Sequence, residues 1–355
     1  MNKELSSFAA RLRGRISSPL AAEVTRLISI PNSELRIPGI LEPPYVGCYE
    51  DFDSLALELF ALQFENNAAY RKICEARGLT PGVVEHWTQI PAVPTGAFKE
   101  LELSCIPPDE CTIVFHSSGT TEQKPSRHFH NAESLAVYEA SLWKWFERNV
   151  LRSADGSSAC FDGTRGRAVR DPLFLTPPPA QAPHSSLVRM FETVRRKLGA
   201  PESVFVGQIA TNGAWALDFD AAFAALHSPP ATRHPSLLLG TAFTFVHLLD
   251  YLAKGDLRVE LPAGSRVMET GGYKNRSRSM PKAELHALIT ERLGVSEENI
   301  ICEYGMSELS SQAYDSVTSD EWRVTRIKNS RHPSPVTRYF RFPAWARVQI
   351  ISPET

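Results

Sequence analysis

The chain has 355 residues, of which 43% are apolar, enough for a sizeable core and against disorder along its whole length. Lysine and arginine number 38 against 40 acidic residues, a formal charge of -2 that calls for neither nucleic acid nor an anionic membrane as a bulk partner. Apolar runs such as Ala221–Leu226 and Pro235–Ala242 fall short of a membrane span, and the N-terminus lacks the apolar stretch of a secretory signal, so a cytoplasmic protein without integral membrane association is expected.

In chain order, residues 1–28 have mixed apolar and charged spacing compatible with one or two helices, and 31–48, with four prolines, read as irregular. Residues 51–76 form a long amphipathic pattern opened by aspartates suited to capping, so a helix is expected. The segment PAVPTGAFKE (91–100) interrupts it, which makes 1–105 a mostly helical N-terminal region. From about 106 to 355 the texture is α/β. CTIVFHSSGTT reads as a strand entering a polar glycine loop, and 131–150 as an amphipathic helix whose Tyr138, Trp143, Trp145 and Phe146 are packing residues. DPLFLTPPP, PSLLLGTAF, SRVMETGGY and NIICEYGMSEL read as strands with loops. SLVRMFETVRRKLGA, ALDFDAAFAAL, TFVHLLDYLAKG and PKAELHALITERLG read as helices between them, and RYFRFPAWARVQIISPET as closing strands. This alternation predicts mostly parallel sheets flanked by helices, whose ligands gather at the carboxyl ends of strands.

The six cysteines show no CxxC or CxxxC spacing, so neither a zinc knuckle nor a thioredoxin-like site is signalled and free thiols are expected. His128 and His130 share a strand face in RHFH, without a supporting acidic or cysteine ligand for a metal. Three loops carry chemistry. In HSSGTTEQKPSRH (116–128), Gly119 permits a tight turn, the flanking hydroxyls and N–H groups can cradle an anion, and Lys124 and Arg127 supply positive charge. The spacing is not that of a Walker A loop. In METGGYKNRS (268–277), paired glycines follow a strand and permit close approach by a flat or phosphorylated ligand. In EYGMSE (303–308), Tyr304 is placed to stack on a planar base and Glu308 to hold Mg²⁺ through oxygen.

Those three loops, in that order, resemble the acyl- and aryl-adenylate-forming ligases. PSRH (125–128), HSSL (184–187), GTAF (240–243), METGG (268–272) and the closing PAWARVQIISPET look closest to the acyl-protein synthetase, LuxE-like, branch. The resemblance implies the α/β large N-terminal domain of those ligases. Ser117, Ser118, Gly119, Thr120 and Thr121 would embrace the ATP phosphates, and Gly271 and Gly272 would line the adenine pocket. Tyr304 and Gly305 would pack at adenine, Ser307 would lie by the α-phosphate, and Glu308 would bind magnesium. Lys124 completes the implied site; His184 is expected near the acyl or nucleotide site, with a purely structural role as the alternative. Glu122 stands where the superfamily loop has a second glycine, and the small C-terminal lid domain is expected to be absent. The implied activity is ATP- and Mg²⁺-dependent conversion of a long-chain fatty or other carboxylic acid to acyl-AMP for transfer to a protein thiol. That is the reaction of a long-chain-fatty-acid–luciferin-component ligase in a bioluminescence fatty acid reductase complex, with an acyl-accepting protein or reductase and transferase subunits as partners. An acyl- or aryl-coenzyme A ligase of the phenylacetate-activating type and a non-catalytic nucleotide-binding or interaction subunit are the alternatives.

Overall fold

The computed structural model describes residues 2–18, 49–117, 124–151, 172–200, 203–227, 235–273, 275–317 and 338–349. The N-terminal part is helical. Helix α1 spans Lys3–Ser17, with the Asn2 side chain accepting from the Glu4 N–H at its start. Helix α2 spans Tyr49–Asn66, α3 Ala68–Ala76 and the single turn α4 Ala97–Glu100. Phe60, Tyr70, Cys74 and Val84 form one apolar cluster here, and Leu5, Phe8 and Leu62 join α1 to α2 in another.

Next comes a two-stranded antiparallel ribbon, β1 (Ile113–His116) and β2 (Arg127–His130), with Phe115 opposite His128. The sequence pattern suggested a strand of the parallel sheet at 113–116; instead the phosphate-loop segment 117–126 joins the two strands of this separate hairpin. Asn131 then caps helix α5 (Ala132–Phe146), accepting from the Ser134 N–H at 2.9 Å.

The principal sheet is built from β3 (Leu173–Phe174), β4 (Val204–Phe205), β7 (Leu237–Thr241), β8 (Arg266–Thr270), β9 (Ile300–Met306), β10 (Ser311–Val317) and β11 (Arg338–Arg341). Its order is β11-β10-β9-β8-β7-β3-β4; the five strands from β9 to β4 run parallel, and β10 is antiparallel to both of its neighbours. A short ribbon, β5 (Gly207–Ile209) with β6 (Trp215–Leu217), stands apart. Helices α6 (Ser186–Leu198), α7 (Phe219–His227), α8 (Ala242–Lys254) and α9 (Lys282–Leu293) fill the connections.

Both faces of this sheet are covered, and the strand sequences show why. In β7, Leu238 enters one core cluster with α8 and α9, whereas Leu237 and Leu239 enter the other with α5 and α6. Val267 and Met268 of β8, and Ile300 and Ile301 of β9, divide the same way. Side chains alternate across a strand, so a sheet buried on both faces reads as a continuous apolar run rather than an alternating one. Tyr138, Trp145 and Phe146 are buried in the second cluster and Trp143 packs against it, as the sequence pattern predicts. Of the closing segment, Arg338–Arg341 is a strand and 342–349 is not. Arg338 holds that edge by an ion pair to Asp315, Nε to Oδ2 at 2.5 Å.

Candidate active site

The strand ends place the polar loops together. Thr241 at the end of β7, Thr270–Gly272 after β8 and Gly305–Glu308 at the end of β9 all line one cleft of about 830 Å³. Ser117 reaches it from β1, and His184–Ser186 from the start of α6. Open α/β sheets collect ligands at this position because strand carboxyl ends and helix N-termini expose unpaired backbone donors there. Ser185 caps α6, accepting from the Val188 N–H at 3.3 Å, while Thr241 and Thr244 form a capping box on α8. Two helix starts therefore face the cleft.

The paired glycines serve two purposes. Gly271 has φ +70°, a backbone conformation L side chains rarely adopt, so the turn itself requires it. Gly272 has ordinary geometry, and a Cβ there would meet nothing; its missing side chain leaves the cleft wall open to a ligand. Gly305 is different again, because an added Cβ would lie 2.2 Å from Oε1 of Glu303.

Glu308 is held from beneath. Ser126 donates to its Oε1 at 2.7 Å, and His128 Nε2 lies 3.8 Å away. Ser126 also sits 2.9 Å from His128 Nε2, and its N–H donates to Ser117 Oγ at 2.9 Å. The glycine loop of the hairpin and the β9 motif are thus joined through one serine. Ser126 is fully buried, so this serine, histidine and carboxylate act as a support and not as a nucleophilic triad. Burial depresses the His128 pKa, with Glu308 opposing the shift and His116 adding to it. His128 is therefore mostly neutral near pH 7. Ser307 Oγ lies 3.1 Å from Ser186 Oγ, tying the β9 loop to α6.

His184 lines the cleft beside His116, their rings stacked 4.7 Å apart at 15°. Its Nδ1 donates to the Val114 carbonyl at 2.9 Å, which leaves Nε2 as the other polar atom. The His116 pKa is lowered by burial, then by His184 and Arg127.

Of the residues singled out in the sequence, Ser117, His184, Gly271, Gly272, Gly305, Ser307 and Glu308 line the cleft. Ser118, Gly119, Thr120 and Thr121, with Glu122, lie outside the described residues. Two others lie outside the cleft lining. Lys124 does not line the cleft: it points to Glu100, Nζ to Oε2 at 3.4 Å, with more than half of its side chain exposed. Tyr304 is 43% exposed, tilted against Phe340 at 5.8 Å, and is not part of the cleft lining. Alternation along β9 explains the second case, since Tyr304 faces away from the side that carries Glu303 and Gly305.

Gln312 had no motif to announce it, and His116, Arg276 and Glu303 stand inside the three loop segments without having been given a role there. Arg276 lies 5.5 Å over the Phe243 ring and its carbonyl accepts from His247 Nε2 at 2.8 Å. It sits four residues beyond the paired glycines, where a cation after a phosphate-type loop was a readable signal. Among the described residues, no group of three histidine, cysteine or acidic side chains is arranged to hold a metal. Glu308 fits the other mode open to magnesium, in which one or two carboxylates act together with phosphate oxygens and water. Cys302 is buried against Glu269, and burial pushes its thiol pKa far up, so it is no nucleophile.

The α/β fold, with its mostly parallel sheet flanked by helices, is matched by a solved ligase. The particular likeness is to 2-hydroxyisobutyryl-CoA ligase, solved in the postadenylation state in complex with 2-HIB-AMP. The TM-score is 0.51 at 13% identity, covering 78% of this chain and 54% of that one. An open conformation of the same ligase with 2-HIB-AMP and CoA gives 0.49 at 13% identity, covering 78% and 60%. The chain therefore spans little more than half the length of the solved structures it matches. No protein-family model and no curated protein matches the chain. No described helix is long and apolar enough to cross a membrane.

Proposed function

We propose that the cleft activates a carboxylic acid with ATP, forming an acyl-adenylate and releasing pyrophosphate, and that the acyl group then passes to a thiol. The sequence resemblance favours a long-chain fatty acid and a protein thiol; coenzyme A is the alternative acceptor. One observation carries the reading: Ser117, Gly271–Gly272 and Gly305–Glu308, far apart in the chain, line a single cleft at the carboxyl ends of the parallel strands.

In the chemical step a carboxylate oxygen attacks the α-phosphorus, and the bond from that phosphorus to the bridging oxygen of pyrophosphate breaks. Two anions must approach, so the residues' work is positioning and charge compensation. The Gly271–Gly272 turn offers backbone to the nucleoside without a side chain in the way. Ser307, fixed by Ser186, supplies a hydroxyl at the reacting phosphate, and Arg276 takes the electrostatic role first expected of Lys124. Glu308, steadied by Ser126, would hold Mg²⁺ with the phosphate oxygens, where the ion would neutralise charge on the departing pyrophosphate. The apolar wall of Phe115, Met190 and Phe243 receives the acyl group.

Carboxylate-dependent exchange of labelled pyrophosphate into ATP tests this, across a panel of fatty and aryl acids. Wild type is expected to exchange with at least one acid, and Glu308→Ala to lose about 100-fold or more while keeping its circular dichroism spectrum. Retained ATP binding without exchange for any acid would instead indicate a non-catalytic nucleotide-binding subunit. Labelled acid with ATP then separates the acceptors: a protein thioester in one case, a soluble coenzyme A thioester in the other.

A further inference from the structure

The polar groups at the floor of the cleft exceed what an adenylate and a plain hydrocarbon chain would use. Glu303 lines the cleft, is 5% exposed, and accepts a hydrogen bond at Oε2 from Thr270. Its Oε1 lies over the bare face of Gly305. In the β9–β10 register Gly305 stands opposite Gln312 and Glu303 opposite Tyr314, so all four occupy one face of the sheet. Gln312 also lines the cleft, is 7% exposed, and hydrogen-bonds Tyr138 through its side chain, yet its Oε1 has no partner among the described residues. The Tyr314 hydroxyl, fully buried beside them, has none either.

A buried acceptor without a donor costs about 1–3 kcal/mol, and an apolar acyl chain laid over Glu303 and Gln312 would bury them further without supplying one. We propose that Glu303 and Gln312 form a polar subsite that takes a hydroxyl group carried on the acyl moiety, so that the preferred substrate is a hydroxylated carboxylic acid. This specificity rests on the acyl-adenylate reading of the same cleft. A hydroxyl suits the place better than an ammonium group, because it donates to the Gln312 carbonyl oxygen while accepting from a protonated Glu303. Burial and the nearby Glu269 push the Glu303 pKa up to about 7 against the Thr270 hydrogen bond, so both forms of the carboxyl are available at neutral pH. A site built to bond a hydroxyl rejects the analogue that lacks it more strongly than an apolar site rejects an added one, because rejection leaves the site's own groups unpaired.

The test is calorimetric titration of the full chain with non-hydrolysable acyl sulfamoyl adenosines. One carries a plain decanoyl group; the others carry a hydroxyl at carbon 2, 3 or 4. At least one hydroxylated analogue should bind about tenfold or more tightly than the plain one. Glu303→Leu and Gln312→Leu should each bring that ratio close to one, and Glu303→Gln, which keeps a hydrogen-bonding group, should preserve most of it. Circular dichroism checks that each variant is folded, and two separate leucine variants keep the test open if one is not. Equal affinity for plain and all hydroxylated analogues in wild type overturns the subsite while leaving the adenylate reading intact. A preference that survives both leucine variants overturns the assignment to these residues. Failure of every analogue to bind, the plain one included, overturns the adenylate reading and the subsite with it.

Discussion

Two buried glutamates on adjacent strands show how one sheet serves structure on one face and a ligand on the other. Glu269 of β8 points to the α9 side, where Lys282 Nζ donates to it and His286 Nε2 lies 3.3 Å from Oε1. Burial opposes its charge, but the His286 hydrogen bond and Lys282 outweigh that, and its pKa falls. Glu303 of β9 points to the opposite face, toward Tyr138 and the cleft, with only the Thr270 hydroxyl as a hydrogen-bond donor among the described residues, and its pKa rises to about 7. Both carboxyls are almost inaccessible, so burial does not separate them; partners do. A carboxylate given a lysine and a histidine as partners is a fastener, and Lys282 also donates to the Gly271 carbonyl at 3.1 Å, fixing the glycine turn to the same post. A carboxyl given one neutral partner and an open cleft remains chemically uncommitted.

The contrast can be broken from the Glu269 side with the largest effect. Lys282→Met leaves a fully buried carboxylate with only His286 and the Cys302 thiol, and chemical denaturation should show a loss of roughly 3–4 kcal/mol, the low part of the range for such a break because Lys282 is itself partly exposed. A loss under about 1 kcal/mol would mean that Glu269 is not charged in the folded protein. Glu303 predicts the opposite dependence on pH. Its pKa is higher folded than unfolded, so the folded state binds the extra proton between about pH 4.5 and 7, and stability falls as pH rises through that window. Glu303→Gln should remove roughly 2–3 kcal/mol of that fall between pH 5 and 8, measured by denaturation at each pH. The lowered pKa of Glu269 works the other way: its contribution is present at neutral pH and is lost as pH drops through its folded value. The smallest expected effect is Gly305→Ala, which forces the Glu303 carboxyl off its seat and should cost about 1–2 kcal/mol while weakening ligand binding in the cleft. Unaltered stability and binding in that variant would show that the Glu303 side chain moves freely.

Much of this was legible in the sequence, and the omissions have physical causes. The apolar run LLLG of β7 and the Val267–Met268 pair of β8 lay in segments that read as strands, and the Gly271–Gly272 pair and Ser307–Glu308 stood at strand ends where a site belongs. Lys124 and Tyr304 looked functional by type and position but face elsewhere, one toward Glu100 and one toward Phe340. A motif gives spacing, whereas the facing of each side chain depends on strand register and on neighbours distant in sequence. The joint role of Glu303, the first residue of EYGMSE, and Gln312 was unreadable for the same reason: nothing local says that β10 pairs with β9 so as to put both on the cleft side. The separate β1–β2 hairpin was hidden as well, because a strand of four residues reads alike in either sheet.

The central claim is that the cleft joins a carboxylate oxygen to the α-phosphorus of ATP. It is tested most directly by incubating the protein with ATP, magnesium and an ¹⁸O-labelled carboxylic acid, trapping the acyl group with hydroxylamine, and analysing the released nucleotide by mass spectrometry. Attack on the α-phosphorus predicts AMP carrying one ¹⁸O atom, because hydroxylamine then cleaves the acyl carbon–oxygen bond and leaves the label on phosphorus. Unlabelled AMP, or ADP formed with a labelled phosphate, would contradict it.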